Sequence, residues 1–80
     1  MKSLVEYIVL SLVDNPTEVK VTQTVGGGRV HLALNVAPED MGRVIGKGGR
    51  VANSMRILSR VAAAREGKQV TLDVVEPHEL

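Results

Sequence analysis

Eighty residues with a formal net charge of +1 allow one small domain with a thin core. That is too little for two lobes closing on a substrate, and too neutral for a protein held to nucleic acid by its overall charge. Hydrophobic residues at 44% and charged residues at 24% are the composition of a folded chain, while the absence of Cys, Phe and Trp excludes disulfides, thiolate metal sites and all but one aromatic ring, Tyr7.

Ser3-Leu4-Val5-Glu6 fits an S-x-x-E capping box, and Leu4, Val5, Ile8, Leu12 and Val13 recur at helical spacing until Asp14-Asn15-Pro16. This predicts a helix over residues 4–13. Val19, Val21 and Val25 then alternate with Lys20, Thr22 and Thr24, and Val30, Leu32, Leu34 and Val36 alternate with His31, Ala33 and Asn35. The alternation predicts two half-buried strands joined by a hairpin at Gly26-Gly27-Gly28. Pro38 opens a short helix whose N-terminal dipole is complemented by Glu39 and Asp40, whose apolar face holds Met41, Val44 and Ile45, and which ends at Gly46. After Gly49 a longer helix runs to about Glu66, with Val51, Met55, Leu58 and Ala62 on one apolar stripe and Ile57, Val61 and Ala64 on an adjoining one. Gly67 stops it. Val70, Leu72 and Val74 give a third strand, and residues 76–80 a short polar, flexible tail.

The order α-β-β-α-α-β predicts an α+β fold, a three-stranded sheet with three helices on one face, and one domain over residues 1–80. No apolar run approaches the roughly 20 residues needed to span a bilayer, and the start lacks the pattern of a signal peptide, so a cytoplasmic protein without membrane insertion is expected.

The chemistry-bearing segment is Val44-Ile45-Gly46-Lys47-Gly48-Gly49, a G-x-x-G turn between two helices with Arg50 immediately after it. Glycines clear side chains from the path of a ligand backbone, Lys47 and Arg50 supply positive charge there, and the N–H groups opening the next helix add partial positive charge. The arrangement suits a phosphodiester backbone. A Walker loop is excluded because Gly48 stands where Ser or Thr is required, and the triple glycine at 26–28 completes no dinucleotide fingerprint. His31 and His78 have no metal-ligand spacing, Glu39 and Asp40 fit helix capping better than acid–base work, and no serine has a histidine base in a recognisable motif. No enzyme, cofactor or metal is expected.

A glycine loop of the form V-I-G-K-G-G-R, placed between helices after a hairpin, resembles that of KH domains in their type II order. Asp14-Asn15-Pro16, Val36-Ala37-Pro38-Glu39-Asp40-Met41-Gly42, Val44-Ile45-Gly46-Lys47 and Gly49-Arg50 resemble the KhpA family of small bacterial single-KH RNA-binding proteins, over nearly the whole chain. In KH domains the loop clamps about four nucleotides of single-stranded RNA and an aliphatic groove receives their bases. The resemblance therefore assigns Gly46, Lys47, Gly48 and Gly49 to a phosphate clamp, Arg50 to an adjacent charge, and Val44, Ile45 and Val51 to groove walls. Gly48, at a free position of the motif, is expected to add flexibility. Two departures stand out: Ala52 occupies a position where a large aliphatic residue is common, and Asn53 and Ser54 replace basic residues. The family also implies an RNA-chaperone or post-transcriptional role linked to cell shape and cell-wall homeostasis, and a homodimer or a heterodimer with KhpB (Jag/EloR). Ile57, Val61 and Ala64 are the candidate interface, because the apolar arc of the long helix is wider than packing on a thin sheet requires. The alternative is a protein-interaction adaptor whose loop contributes little to RNA binding.

Overall fold

The computed structural model describes residues 1–75, so the expected tail over 76–80 lies outside the described residues. The chain forms α1 (Lys2–Leu10), β1 (Lys20–Gly26), β2 (Arg29–Asn35), α2 (Met41–Ile45), α3 (Arg50–Arg65) and β3 (Gln69–Val74), with single 3-10 turns at Pro16–Glu18, Pro38–Asp40 and Lys47–Gly49. This is the α-β-β-α-α-β order expected from the sequence. β2 is central, antiparallel to β1 and parallel to β3. The helices cover one face, α1 against β1 and α3, α3 against β3, and α2 against α3.

Alternation decides which face is covered. Val30, Leu32, Leu34 and Val36 all point into the core, joined by Val21 from β1, Val70 and Leu72 from β3, and Val5 and Val9 from α1. Val25, expected to point inward with Val21, is exposed instead, because it stands at the hairpin tip. His31 lies on the open, polar face, where its Nδ1 is 2.6 Å from Thr71 Oγ1 and its Nε2 is 3.6 Å from Asp73.

Two helices differ from their sequence expectation. α1 starts at Lys2 rather than Leu4, and no side chain caps it; the Met1 carbonyl accepts the Val5 N–H at 3.1 Å instead, so the Ser3–Glu6 capping box does not form. Its far end stops at Leu10 rather than residue 13, where Ser11 Oγ donates to the Tyr7 carbonyl at 2.8 Å and Leu12 and Val13 bond back to Val9 in a closing turn. In α3 the period is as expected but the phase is not: the core stripe is Ala52, Met55, Ser59 and Ala63, and Leu58 is exposed. Three of those four are small, which brings the helix axis close to the sheet and leaves the larger Ile57, Leu58 and Val61 outside. Ser59 Oγ is buried with no hydrogen-bond partner among the described residues, a cost the helix bears for that close approach. Paired bonds from Gly67 N–H to Ala64 and from Lys68 N–H to Ala63 then close the C-terminus.

Asp40 also departs from the surface role that its place near a helix start implied. It is only 1% exposed, and its carboxylate accepts hydrogen bonds from the Asp14 N–H at 3.1 Å, the Asn15 N–H at 3.0 Å and Asn15 Nδ2 at 3.1 Å. Glu39 lies at 3.4 Å from the same Asn15 amide, and Arg43 pairs with Asp14 at 2.9 Å. Two separate motifs, Asp14-Asn15-Pro16 and Pro38-Glu39-Asp40, thus form a single lock across the start of α2. The Asp14 backbone bond, aided by Asn15 and Arg43, holds the Asp40 carboxyl below its ordinary pKa against the opposing effect of burial. A lowered folded-state pKa means that this stabilisation is present above the ordinary Asp range and drains as pH falls through the folded value. Urea midpoints measured from about pH 5 downward should therefore fall more steeply for the native chain than for Asp40→Asn; parallel curves would show that the lock contributes no charge-dependent stability.

Candidate nucleic-acid interface

The turn between α2 and α3 is built on left-handed backbone. Gly46 closes α2 with φ 77° and ψ 170°, its N–H donating to the Gly42 carbonyl at 2.9 Å and its own carbonyl accepting the Gly49 N–H at 3.1 Å. Gly48 (φ 65°, ψ 20°) and Gly49 (φ 78°, ψ 13°) follow, and Gly49 is the N-cap of α3. The demand for glycine differs along the turn. A Cβ on Gly46 would lie 2.5 Å from Val51 Cγ2 and 2.8 Å from the Val51 nitrogen, so both conformation and space require glycine there. At Gly48 nothing lies within 4 Å, and conformation alone sets the requirement. Its left-handed backbone replaces the expectation that this position merely adds flexibility: glycine here fits the turn's geometry.

Lys47, Gly48 and Arg50 are exposed, and among the described residues neither cation forms an ion pair. No side chain caps α3; its first N–H, that of Arg50, donates to the Lys47 carbonyl, and the N-cap Gly49 N–H to the Gly46 carbonyl, so the turn closes on its own backbone. The charge around the turn is one-sided. Residues 41–65 carry six cations (Arg43, Lys47, Arg50, Arg56, Arg60 and Arg65) and not one acid, although the whole chain is nearly neutral. That acid-free run was visible in the sequence but hidden by the net charge.

The expected groove walls divide. Val44 is fully buried and belongs to the core, which removes it from any ligand-facing surface; with Met41 packed beside it, it anchors the short α2. Ile45 and Val51 are half-buried. Val51 lines a cleft of about 300 Å³ between α1 and α3 with Ile8, Leu12, Ser54, Met55 and Leu58, and Arg50 sits at its mouth. Ala52 is in the core stripe, so its small size serves helix–sheet contact. Arg56 reaches across from α3 to β3: its Nε donates to the Leu72 carbonyl at 3.0 Å and its Nη1 to Asn53 Oδ1 at 3.1 Å. The candidate interface residues Ile57 (58% exposed), Val61 (53%) and Ala64 lie outside the core, on the solvent side of α3. No cluster of three potential metal ligands exists among the described residues, and no helix in them is long and apolar enough to cross a membrane.

With this geometry in view, the family model for the KhpA/KhpB KH domain matches residues 2–74. The chain belongs to the KhpA/KhpB KH-domain family. It is similar to RNA-binding protein KhpA of Clostridium acetobutylicum, 48% identical over 75 residues that cover 94% of this chain and 100% of that one. The KhpA of Halalkalibacterium halodurans is 43% identical over 76 residues, covering 95% and 100%; that of Aquifex aeolicus is 38% identical over 76 residues, covering 95% and 96%. The KhpA/KhpB KH family is a non-enzymatic one.

The two kinds of glycine requirement predict different costs. Gly46→Ala puts a side chain at positive φ with extended ψ, a region essentially restricted to glycine that costs about 1–3 kcal/mol, and adds the clash against Val51, whereas Gly48→Ala incurs left-handed strain of about 1–2 kcal/mol alone. Urea denaturation should rank Gly46→Ala as clearly the less stable variant; equal losses would mean that the Gly46–Val51 approach is not a constraint.

Proposed function

We propose that this protein binds single-stranded RNA through the Gly46–Gly49 turn, as a non-catalytic KH module. The observation that carries the reading is the turn itself: a run of glycine backbone at Gly46, Gly48 and Gly49, exposed at Gly48 and flanked by the cations Lys47 and Arg50, which form no ion pair among the described residues. The naming of its relatives as RNA-binding proteins supports it. Ile45 and Val51 are the remaining apolar side chains beside the turn that could meet bases. An RNA-chaperone or post-transcriptional role in the cytoplasm, acting with KhpB on cell shape and cell-wall homeostasis, is the cellular setting that the family resemblance supplies.

Replacing Lys47 and Gly48 together by Asp puts two negative charges into the clamp. Gly48 tolerates this better than Gly46 would, because Asp enters left-handed backbone more readily than most residues and nothing crowds the site. The folded variant should lose RNA binding. For the native protein, neutralising about three phosphates gives a slope of log K against log salt of roughly −2 on single strands. RNA binding undiminished in the folded variant, or insensitive to salt, would remove the clamp from the account.

The exposed apolar side of α3 favours a protein partner as well. We propose Ile57, Val61 and Ala64 as a contact surface for a second copy or for KhpB, compatible with RNA binding because they are separate from the turn. Val61→Arg should leave the fold intact and abolish self-association in sedimentation experiments, or capture of KhpB if that is the partner. A native variant that associates as before would put the contact elsewhere and weaken the adaptor alternative with it.

A further inference from the structure

We propose that the free edge of β1 pairs with the same edge of a second copy, antiparallel and in one register, so that two three-stranded sheets join into a single sheet. The inference is independent of the glycine turn and of the α3 surface.

Among the described residues β1 pairs with β2 alone. The carbonyls of Gly28 and Leu34 accept the N–H groups of Gln69 and Val75, so the even-numbered residues of this segment bond toward β3. Arg29, His31, Ala33 and Asn35 therefore bond toward β1, where they face Gly26, Thr24, Thr22 and Lys20. That leaves the N–H and carbonyl groups of Val21, Gln23 and Val25 directed at the free edge, with no backbone partner among the described residues. Natural sheets guard such an edge with a proline, a bulge or a charge along its length. β1 has none of these: its register runs unbroken from Lys20 to Gly26, it holds no proline, and Lys20 at one end is its only charge. The opposite edge of the sheet differs, because Arg56 occupies the Leu72 carbonyl of β3.

The sequence of the edge is self-complementary about Gln23. A two-fold axis there sets Lys20 against Gly26, Val21 against Val25, Thr22 against Thr24 and Gln23 against itself, which pairs the whole strand. The outward-facing Val21, Gln23 and Val25 then meet one another as hydrogen-bonded pairs, as an antiparallel ladder requires. Threonine lies opposite threonine, the two Lys20 side chains stand at opposite ends, and no like charges face each other. On the helix-covered face Val21 is buried, whereas Val25 at the hairpin tip is 56% exposed. The register lays each Val25 beside the Val21 of the other copy and so gives this valine the apolar neighbour it lacks. Any extended strand could use the backbone groups; the matched side chains single out this chain's own β1.

One strand edge buries less than the roughly 1,200 Å² of a stable specific interface, so the pairing is weak and is read by covalent trapping rather than by sedimentation. The chain contains no cysteine, and Lys20, Thr22, Gln23 and Thr24 are all exposed, so single cysteines on the full chain report the register without disturbing the core. Under mild oxidation Gln23→Cys should crosslink with itself. A mixture of Thr22→Cys and Thr24→Cys should crosslink as the mixed pair in excess over either chain alone, whose like residues stand diagonally at about 7–8 Å. Lys20→Cys should give no dimer, since its counterpart lies roughly 20 Å away along the strand. Adding Gln23→Lys to the mixture sets two cations face to face and should cut the mixed crosslink several-fold. The same pattern is expected with Val61→Arg on every chain; a pattern that vanishes there belongs to the α3 contact and overturns the edge pairing. Equal yields at all positions, the mark of random collision, overturn it too. So does Gln23→Cys trapped only on a different protein in cell extract, which assigns the edge to a foreign strand.

Discussion

The close approach of Gly46 to Val51 is the contact on which the candidate site depends. Because the backbone of one helix end sits against the first turn of the next, no side chain fits at residue 46, and the chain turns from α2 into α3 through three glycines at positive φ. The surface of the turn follows from that: Lys47 and Arg50 are exposed, and Gly48 between them leaves the approach open. A single methyl group at residue 46 would force the first turn of α3 at Val51 to shift.

A five-residue helix cannot hold such a turn by its own stability. α2 is fixed at three places instead. The buried Asp40 carboxylate and the Arg43–Asp14 pair tie its start to the loop after α1; Val44 anchors its middle in the core; Gly46 docks its end on Val51. The turn is thus presented in one orientation before any ligand arrives, which reduces the ordering cost of binding.

Most of the fold was legible in the sequence because it rests on periodicity. β2 alternates without interruption, glycine and proline breaks mark the ends of the hairpin, α2 and α3 to within a few residues, and the motif at 44–50 lies where it was expected. What could not be read is phase and partnership. In α3 hydrophobicity favours Ile57 and Leu58, yet the sheet takes the small face of Ala52, Ser59 and Ala63, since close packing rewards small volume as well as apolarity. The Asp40–Asn15 lock joins residues 25 apart, and nothing local signals that a carboxylate beside a helix start will be buried. Val44 looked like a groove wall for the same reason: in a helix of five residues periodicity does not tell Val44 from Ile45, and only the folded chain shows that Val44 is the fully buried one. The acid-free stretch from 41 to 65 was readable, and a net charge averaged over the whole chain conceals it.

Two copies sharing one RNA would hold it more tightly than one, through effective concentration rather than new contacts. The proposed contact residues Ile57, Val61 and Ala64 are not residues of the glycine turn, so the two proposals do not compete for the same side chains. The most direct measurement of the central claim is amide chemical-shift mapping of the native protein during titration with a short single-stranded RNA. The account predicts that the largest shifts fall on the amides of Gly46 to Ala52, the turn and the first turn of α3. Shifts confined to the Ile57–Ala64 side of α3, or none at all at saturating RNA, would contradict it.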